Sequence, residues 1–344
     1  MHVLIIKPSS LGDIIHTFPA VYALQQTQPD LRLSWVVNDS FSGIVSLLPG
    51  IERVIPFPRR EIGKLDWRST SSFVSALRSE RYDLALDFQG LFRSGLISWL
   101  SRAKKRVGFA AAREGATFFY QQKVRVPDNL HHAVDKNLFL VRSLFGLPDD
   151  FSPEPKLQVK SEWLDSAKRL LQAEGRPVLA VGFSSRWPSK TWPNAFFAEV
   201  LRQVIDRVPN VQCWLLGSKS ESDEAEKLRL LLNSPQLINL AGSSSMETLV
   251  GLLKSSDVLL TNDSGPMHIA AALQTPCVAL FGATDPEMTG PYGNGHQIIR
   301  SLCQESPCFK RKCPYGEEAC SKDISATKVA EKVAARLRNK SRDS

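Results

Sequence analysis

The sequence predicts an α/β protein with two doubly wound parallel sheets, and three observations lead to this fold class. Short apolar runs alternate with amphipathic segments through both halves of the chain, as in a parallel sheet with crossover helices. A stretch rich in Pro and Asp, residues 146–155, interrupts this alternation. The length of 344 residues fits two domains of about 150 residues each. We predict domains at 1–150 and 151–325, followed by a C-terminal helix and basic tail at 326–344.

Each predicted element follows from the local pattern of apolar residues. In the first half, apolar runs predict strands at 3–7, 33–37, 54–57, 84–88 and 105–107, and amphipathic spacing predicts helices at 17–26, 71–79 and 92–100. In the second half, strands are predicted at 178–183, 212–216, 258–261 and 277–281, with helices at 194–205, 222–232, 269–273 and 326–338. Two such units joined by a linker predict a ligand cleft between them.

Composition excludes several classes of protein. The chain has 43% hydrophobic and 23% charged residues, which is typical of soluble globular proteins. Its apolar runs are much shorter than the ~18 residues that a membrane span needs. The N-terminus begins directly with a strand and lacks the apolar region and cleavage site of a signal peptide. We therefore expect a cytoplasmic protein without a transmembrane segment.

Positive charge is concentrated in one part of the chain. The net charge is +8, and the segment from Arg59 to Arg113 contains twelve Lys and Arg against five Asp and Glu. Such an excess favours a polyanionic partner, either nucleic acid, an anionic membrane surface or a phosphorylated glycolipid. A solvated basic face explains the charge equally well. Few aromatic residues interleave with the basic ones and no reader motif is present, so nucleic acid is disfavoured.

Four of the six cysteines, Cys303, Cys308, Cys313 and Cys320, lie close together near the C-terminus. In the cytosol such a cluster favours free thiols or a metal site over disulfides. The spacing lacks the paired Cys-x-x-Cys of common zinc sites, so we expect no metal here.

The motif Asp-Ser-Gly-Pro-Met-His at residues 263–268 is the most informative stretch. It joins an apolar strand to a helix through a small turn that contains Gly265. The free N–H groups of a helix N-terminus, with its dipole, bind anions. Asp263 and His268 flank this turn. The motif therefore predicts that a phosphorylated ligand binds at the carboxyl edge of a parallel sheet.

Two further turns in the second half fit the same ligand. Ser184, Ser185 and Lys190 follow the strand at 178–183, where they can donate hydrogen bonds and positive charge to phosphate. Without other evidence, the preferred interpretation of Lys190 would be an exposed loop lysine. Because the turn at residues 263–268 also predicts anion binding, the two turns together favour diphosphate binding. Glu221 begins the next helix and can accept hydrogen bonds from sugar hydroxyls, although acidic residues are common in first helical turns.

In the first half, Asp13 lies just after the first strand, in the motif Lys-Pro-Ser-Ser-Leu-Gly-Asp at residues 7–13. Gly12 permits close approach of another molecule. A carboxylate held there can act as general base for an attacking hydroxyl. Helix capping explains Asp13 equally well, because Asp is favoured at helix starts.

Taken together, five motifs resemble the ADP-heptose:lipopolysaccharide heptosyltransferases, glycosyltransferase family 9. They lie at residues 9–19, 87–91, 190–193, 263–268 and 281–286, in the same order over nearly the whole chain. Residues 35–37 and 52–56 look most similar to the branch that acts on Kdo–lipid A. At residues 263–265 the sequence is Asp-Ser-Gly where many relatives have Asp-Thr-Gly, and serine keeps the hydroxyl group of threonine. Only part of the family has the four cysteines.

The resemblance implies a GT-B fold, with two Rossmann-like domains facing across a cleft, an inverting mechanism and no catalytic metal. The N-terminal domain would bind the anionic Kdo–lipid A acceptor and the C-terminal domain ADP-heptose. The enzyme would be peripheral to the cytoplasmic face of the inner membrane.

The resemblance also assigns roles to residues. Asp13 is at the position of the general base. The implied donor-binding residues are Ser184, Ser185, Lys190, Glu221, Asp263, Ser264, Gly265 and His268. The implied acceptor-binding residues are Ser10, Gly12, Arg59, Arg60, Lys64, Gln89, Arg93 and Arg113.

Other functions remain open at this point. Transfer onto the first heptose, as in the second heptosyltransferase, is one. A non-catalytic nucleotide-sugar-binding protein would be expected to lack Asp13 or Lys190, and a GT-B-like epimerase would need a different acid/base set. The chain contains no G-x-S-x-G, no G-x-G-x-x-G after the first strand and no P-loop, which disfavours hydrolases, dehydrogenases and P-loop ATPases.

Overall fold

The computed structural model describes residues 1–28, 30–59, 66–170, 175–313, 316 and 322–340. Contacts between Cα atoms divide the chain into two units, Met1–Gln158 and Val159–Ser344. Residues 147–160, all of them described, contain neither helix nor strand. The linker predicted at 146–155 and the domain boundary predicted at residue 150 both fall at this irregular segment.

A six-stranded parallel sheet forms the centre of the first unit. Its strands are β1 (His2–Ile6), β2 (Arg32–Asn38), β3 (Arg53–Phe57), β4 (Leu84–Asp87), β5 (Lys105–Phe109) and β6 (Gln122–Val124). They lie in the order β3-β2-β1-β4-β5-β6, and every neighbouring pair is parallel. The helices in the described part of this unit are α1 (Leu11–Ile15), α2 (Phe18–Gln25), α3 (Ser42–Val45), α4 (Trp67–Arg78), α5 (Phe92–Leu100) and α6 (Ala133–Phe145).

The second unit contains another six-stranded parallel sheet. Its strands are β7 (Val178–Gly182), β8 (Gln212–Leu216), β9 (Leu237–Asn239), β10 (Val258–Asn262), β11 (Cys277–Phe281) and β12 (Gln297–Arg300), in the order β12-β11-β10-β7-β8-β9. Its described helices are α7 (Ser161–Lys168), α8 (Asn194–Arg207), α9 (Ser222–Leu232), α10 (Met246–Ser255), α11 (Gly265–Ala272), α12 (Pro286–Thr289) and α13 (Ala326–Lys340).

Numbered within its own unit, each sheet has the strand order 3-2-1-4-5-6. The chain therefore leaves the first and the fourth strands in opposite directions, and a crevice opens between the two loops at the carboxyl edge. Ligands of doubly wound sheets bind at this switch point. In the first unit it lies between the loops after β1 and β4, and in the second between those after β7 and β10.

The apolar runs of the sequence become the buried centres of the sheets. All five residues of β1 and all five of β7 are buried, as expected for central strands of a parallel sheet covered by helices. At the end of β7, a Cβ on Gly182 would lie 2.7 Å from Thr261 Oγ1, so the close approach of β7 and β10 requires glycine. The C-terminal helix α13 packs against α8 and contributes Val333 and Leu337 to the core of the second unit.

All nine predicted strands are confirmed to within one or two residues at their ends, whereas β6, β9 and β12 were not predicted. These three are edge strands of three or four residues that are partly exposed, so they lack the apolar run on which the prediction depends. Within the described residues, no helix combines the length and the apolar character that crossing a bilayer requires.

Candidate active site

Asp13 lies in the short helix that follows β1, a central strand of the first unit. It is a residue of α1, and its Oδ2 accepts hydrogen bonds from Ser10 N at 2.9 Å and Ser10 Oγ at 2.8 Å. Asp13 thus makes the capping contacts that were one of its two predicted roles. It is nevertheless half-buried and lines a pocket, so Asp13 can contact a ligand there while it also caps the helix.

This pocket has a volume of about 580 Å³, which is the size of a small-molecule site. It is formed within the first unit by the ends of β1 and β4, the loop after β5 and the segment before α6. Its described charged lining residues are Lys7, Asp13, Arg113, Arg125, Asp128 and Lys136. The four basic groups outnumber the two acidic ones, so the pocket favours an anionic ligand.

Lys7 is a buried charged residue of this pocket to which sequence reasoning gave no role. Its Nζ donates to Phe88 O at 2.9 Å, which connects the ends of β1 and β4. Burial lowers the pKa of Lys7, while the carboxylates of Asp13 and Asp87 act in the opposite direction. A lysine at the end of an otherwise apolar central strand was the signal that could have identified it.

Asp87 orders the turn after β4 that carries Gln89. Its Oδ1 accepts from Gln89 N at 2.8 Å and Gly90 N at 3.1 Å, and its Oδ2 accepts from Tyr120 Oη at 2.6 Å. Burial raises the pKa of Asp87, against the effect of these donors. Gln89 Oε1 in turn accepts from Ser9 N at 3.2 Å, so the two switch-point loops are joined.

The structure brings some of the predicted acceptor residues together and leaves others apart. Gln89 and Arg113 line the pocket with Asp13, and Gly90 O accepts from Arg113 N at 2.8 Å. Arg59 and Arg93 are exposed and are not among the residues that line it. Arg60 and Lys64 lie outside the described residues.

Asp263 is the centre of the switch point in the second unit. It is buried directly after β10, and its Oδ2 accepts from Lys190 Nζ and from Thr284 Oγ1, each at 2.6 Å. The main-chain oxygen of Asp263 accepts from Ser185 Oγ at 3.1 Å. Three loops, those after β7, β10 and β11, therefore meet at one carboxylate. Thr284 lies in the family-like motif at 281–286, but no role had been predicted for it.

The helix after Asp263 begins at Gly265, four residues before the predicted start at residue 269, so His268 lies inside the helix and does not flank the turn as predicted. Ser264 is the N-cap of α11, and its Oγ lies 3.1 Å from Thr261 Oγ1. Gly265 begins the helix, and His268 is buried in it. The Gly265 N–H at the start of α11 therefore lies at the carboxyl edge of the sheet, where it can bind an anion, whereas Pro266 has no N–H and Met267 N donates to Ser264 O at 3.1 Å.

Glu221 lies after β8, beside the same edge of the sheet. Its Oε2 accepts from Ser218 N at 2.6 Å and Ser218 Oγ at 2.7 Å, and its Oε1 accepts from Ser184 Oγ. Burial raises the pKa of Glu221, but the bonds from Ser184 and Ser218 outweigh it, so this pKa lies below its ordinary value. Ser184 and Ser185 thus both donate to protein acceptors, and their role toward phosphate stays a prediction.

Comparison with known proteins extends over most of the chain. A family model described as glycosyltransferase family 9 (heptosyltransferase) matches residues 70–318. Lipopolysaccharide heptosyltransferase 1 of Pseudomonas aeruginosa is 33% identical over 330 residues, covering 92% of this chain and 88% of that protein. The solved structure of E. coli ADP-heptose lps heptosyltransferase II has a TM-score of 0.83 at 25% identity, with 99% and 100% of the two chains covered. E. coli heptosyltransferase WaaC with ADP-2-deoxy-2-fluoro heptose gives 0.78 at 25% identity, with 97% and 99% covered.

The chain belongs to glycosyltransferase family 9. This confirms the predicted family and the enzyme class, which is that of a glycosyltransferase. The two six-stranded sheets and the similarity to the solved heptosyltransferases confirm the GT-B fold class. The roles of individual residues in this family 9 enzyme are not tested by these comparisons and stay predictions.

The cysteine cluster adds no described metal site to this family 9 enzyme. Cys303, Cys308 and Cys313 are half-buried free thiols, and Cys320 lies outside the described residues. In the part of the chain that the structure describes, no group of three or more His, Cys, Asp and Glu could hold a metal ion. The expectation about a metal at these four cysteines stays a prediction.

Proposed function

We propose that the enzyme is an inverting heptosyltransferase that moves L-glycero-D-manno-heptose from ADP-heptose to the Kdo of Kdo–lipid A. The observation that carries this proposal is the position of Asp13, a half-buried carboxylate in a basic pocket at the first switch point. The similarity to lipopolysaccharide heptosyltransferase 1 over most of the chain supports transfer of heptose to lipopolysaccharide. The solved WaaC complex with an ADP-heptose analogue supports the donor.

The proposed reaction is a single displacement. The carboxylate of Asp13 accepts the proton of a Kdo hydroxyl, and the oxygen of that hydroxyl forms the new bond to the anomeric carbon of the heptose. The bond from that carbon to the β-phosphate oxygen breaks, and its electron pair leaves with ADP. Attack opposite to the leaving group inverts the anomeric configuration. Positioning of the two substrates and general-base assistance lower the barrier.

The second unit supplies the groups that would stabilise the leaving diphosphate. Lys190 Nζ is a compact positive charge at the switch point, and the Gly265 N–H at the start of α11 lies at the same edge of the sheet. Both act on the negative charge that grows on ADP as the bond breaks. We propose that Glu221 accepts hydrogen bonds from hydroxyl groups of the ribose or the heptose. We propose that no catalytic metal takes part.

The acceptor pocket suits the chemistry of the inner core. Kdo carries a carboxylate, and lipid A carries phosphates. Arg113, Arg125 and Lys136 line the pocket with Asp13, so an anionic sugar would be bound next to the base. Arg and Lys bind carboxylate and phosphate through charge-assisted hydrogen bonds.

Mass spectrometry of Kdo–lipid A incubated with the enzyme and ADP-heptose tests this function. We expect a gain of one heptose, with the same yield in the presence of a metal chelator. Transfer only to an acceptor that already carries the first heptose would assign the second heptosyltransferase activity instead, which the similarity to the E. coli heptosyltransferase II structure makes the main alternative. No gain with either acceptor would favour a non-catalytic nucleotide-sugar-binding protein.

We also propose that the enzyme docks peripherally on the cytoplasmic face of the inner membrane. The acceptor is an anionic glycolipid, and the basic residues between Arg59 and Arg113 are in the unit that carries the acceptor pocket. Attraction between exposed charges weakens as salt shortens the Debye length to about 8 Å at physiological ionic strength. In sedimentation with anionic vesicles, binding should therefore fall steeply with added salt. Binding that ignores salt would contradict electrostatic docking.

A further inference from the structure

We propose that Arg311 is a positioning residue of the donor site, which acts on Lys190 through the ring of Trp187. The loop that carries it, residues 303–311 (the 303–311 loop), would hold in place the two side chains that donate to the Asp263 carboxylate, those of Lys190 and Thr284. This inference rests on the proposed role of Lys190 in binding the donor diphosphate. The cysteines clustered in this segment had suggested no role for it in the transfer reaction, and the proposal assigns it one.

On one side, the 303–311 loop is bonded to the segment that carries Lys190. Ser189, the residue before Lys190, donates from its N to Arg311 O at 3.3 Å. The hydroxyl of Ser189 donates to Lys310 O at 2.6 Å. Two hydrogen bonds from a single residue therefore fix the main chain next to Lys190 onto the loop.

On its other side, the 303–311 loop is bonded to the segment that carries Thr284. Ser306 Oγ donates to Gly282 O at 2.6 Å, and Phe309 N donates to Ala283 O at 2.7 Å. Phe309 has a φ of 54°, which is uncommon for a bulky residue, so the surrounding contacts hold the loop in an unfavourable conformation. Such strain is typical of segments that position functional groups.

The two segments held by the loop converge on one atom. Lys190 Nζ and Thr284 Oγ1 both donate to Asp263 Oδ2, each at 2.6 Å. A displacement of the 303–311 loop would therefore move both donors of this carboxylate. The loop is placed to set the position from which Lys190 reaches a diphosphate.

Trp187 lies between Arg311 and Lys190 and contacts both side chains. Lys190 Nζ lies 4.7 Å from the centroid of the Trp187 ring, and Arg311 Cζ lies 5.5 Å from the same centroid. Each cation is attracted to the electron-rich face of the indole. Arg311 thus restrains the ring against which the Lys190 side chain rests. Lys312, the next residue, is exposed and has the same charge, so it provides a matched control.

Calorimetric titration with ADP tests the proposal. We expect Arg311→Met to bind ADP roughly fivefold more weakly, which is the upper end of the range for a cation–π contact at an exposed site. The KM for ADP-heptose should rise by a similar factor with a smaller change in kcat. Lys312→Met should bind ADP as the wild type does, and Arg311→Lys should recover most of the loss. Unchanged thermal unfolding of Arg311→Met would show that the effect is local.

A double-mutant cycle separates positioning from direct contact. In a Lys190→Met background, Arg311→Met should cause no further loss of ADP affinity, because its effect passes through Lys190. Additive losses, or an equal loss in Lys312→Met, would overturn the positioning role, and so would wild-type ADP affinity in Arg311→Met. The variants could show the expected differences in ADP affinity while the wild-type enzyme transfers no heptose. That outcome would support the positioning role of Arg311 and would contradict only the proposed function.

Discussion

The two switch points share one arrangement of charged residues but use it differently. Each has a lysine after the first strand of its sheet and an aspartate at the end of the fourth or just after it. In the first unit Lys7 donates to a main-chain oxygen, and Asp87 accepts from two main-chain amides and from Tyr120. In the second unit Lys190 donates directly to Asp263 at 2.6 Å.

The difference shows how one fold can support two tasks. In the first unit Lys7 and Asp87 are buried and order the two loops through separate hydrogen bonds, and Asp13 in α1 is one of the two carboxylates among the described residues that line the pocket. In the second unit the lysine remains 18% exposed beside the N-terminus of α11, where an anion can reach it. Under the proposed function the same scaffold would present a base on one sheet and an anion site on the other, because function depends on the loops rather than on the strand order.

Replacing the base gives the largest expected effect and tests the role of the first unit. Asp13→Asn keeps the shape of the side chain but removes the basic oxygen, so we expect kcat to fall by about 10²–10⁴-fold. ADP affinity should stay near the wild-type value, because the proposed donor site is in the other unit. Asp30→Asn, an exposed aspartate of the first unit, serves as the control. Wild-type turnover of Asp13→Asn would show that the base is another group.

Removing the lysine of the second unit should have the next largest effect. Lys190→Met deletes the charge that pairs with Asp263 and leaves that buried carboxylate with one donor fewer. Since a charge-assisted hydrogen bond contributes about 1.5–3 kcal/mol, we expect ADP to bind about 10- to 100-fold more weakly. Calorimetry measures this, with Lys328→Met on α13 as control. Equal affinity in Lys190→Met and the control would remove Lys190 from the donor site.

The corresponding lysine of the first unit should produce a smaller effect that depends on pH. Lys7→Met removes a positive charge near Asp13, and loss of that charge makes a carboxylate easier to protonate. The acidic limb of kcat/KM should therefore shift to higher pH, by about one unit. Activity would be lost at low pH and largely retained above neutrality. A pH profile with an unmoved acidic limb would show that Lys7 does not influence the base.

Sequence reasoning identified most of the fold because central parallel strands are continuous apolar runs, as in β1 and β7. It placed Lys190 and Asp263 near each other, because small and polar residues after such strands fall on one edge of the sheet. It gave no role to Lys7, Thr284 or Arg311. Their roles depend on contacts between segments distant in sequence, and no local pattern predicts which loops meet at one carboxylate.

The capping contacts of Asp13 have a consequence for the catalytic cycle. If Asp13 receives the proton of the attacking hydroxyl, its Oδ2 becomes a weaker acceptor for Ser10, since a neutral carboxyl group attracts donors less strongly than a carboxylate. Chemistry and local folding are then coupled in α1. Under the proposed mechanism each transfer event would loosen the first helical turn, and loss of the proton to solvent would tighten it again.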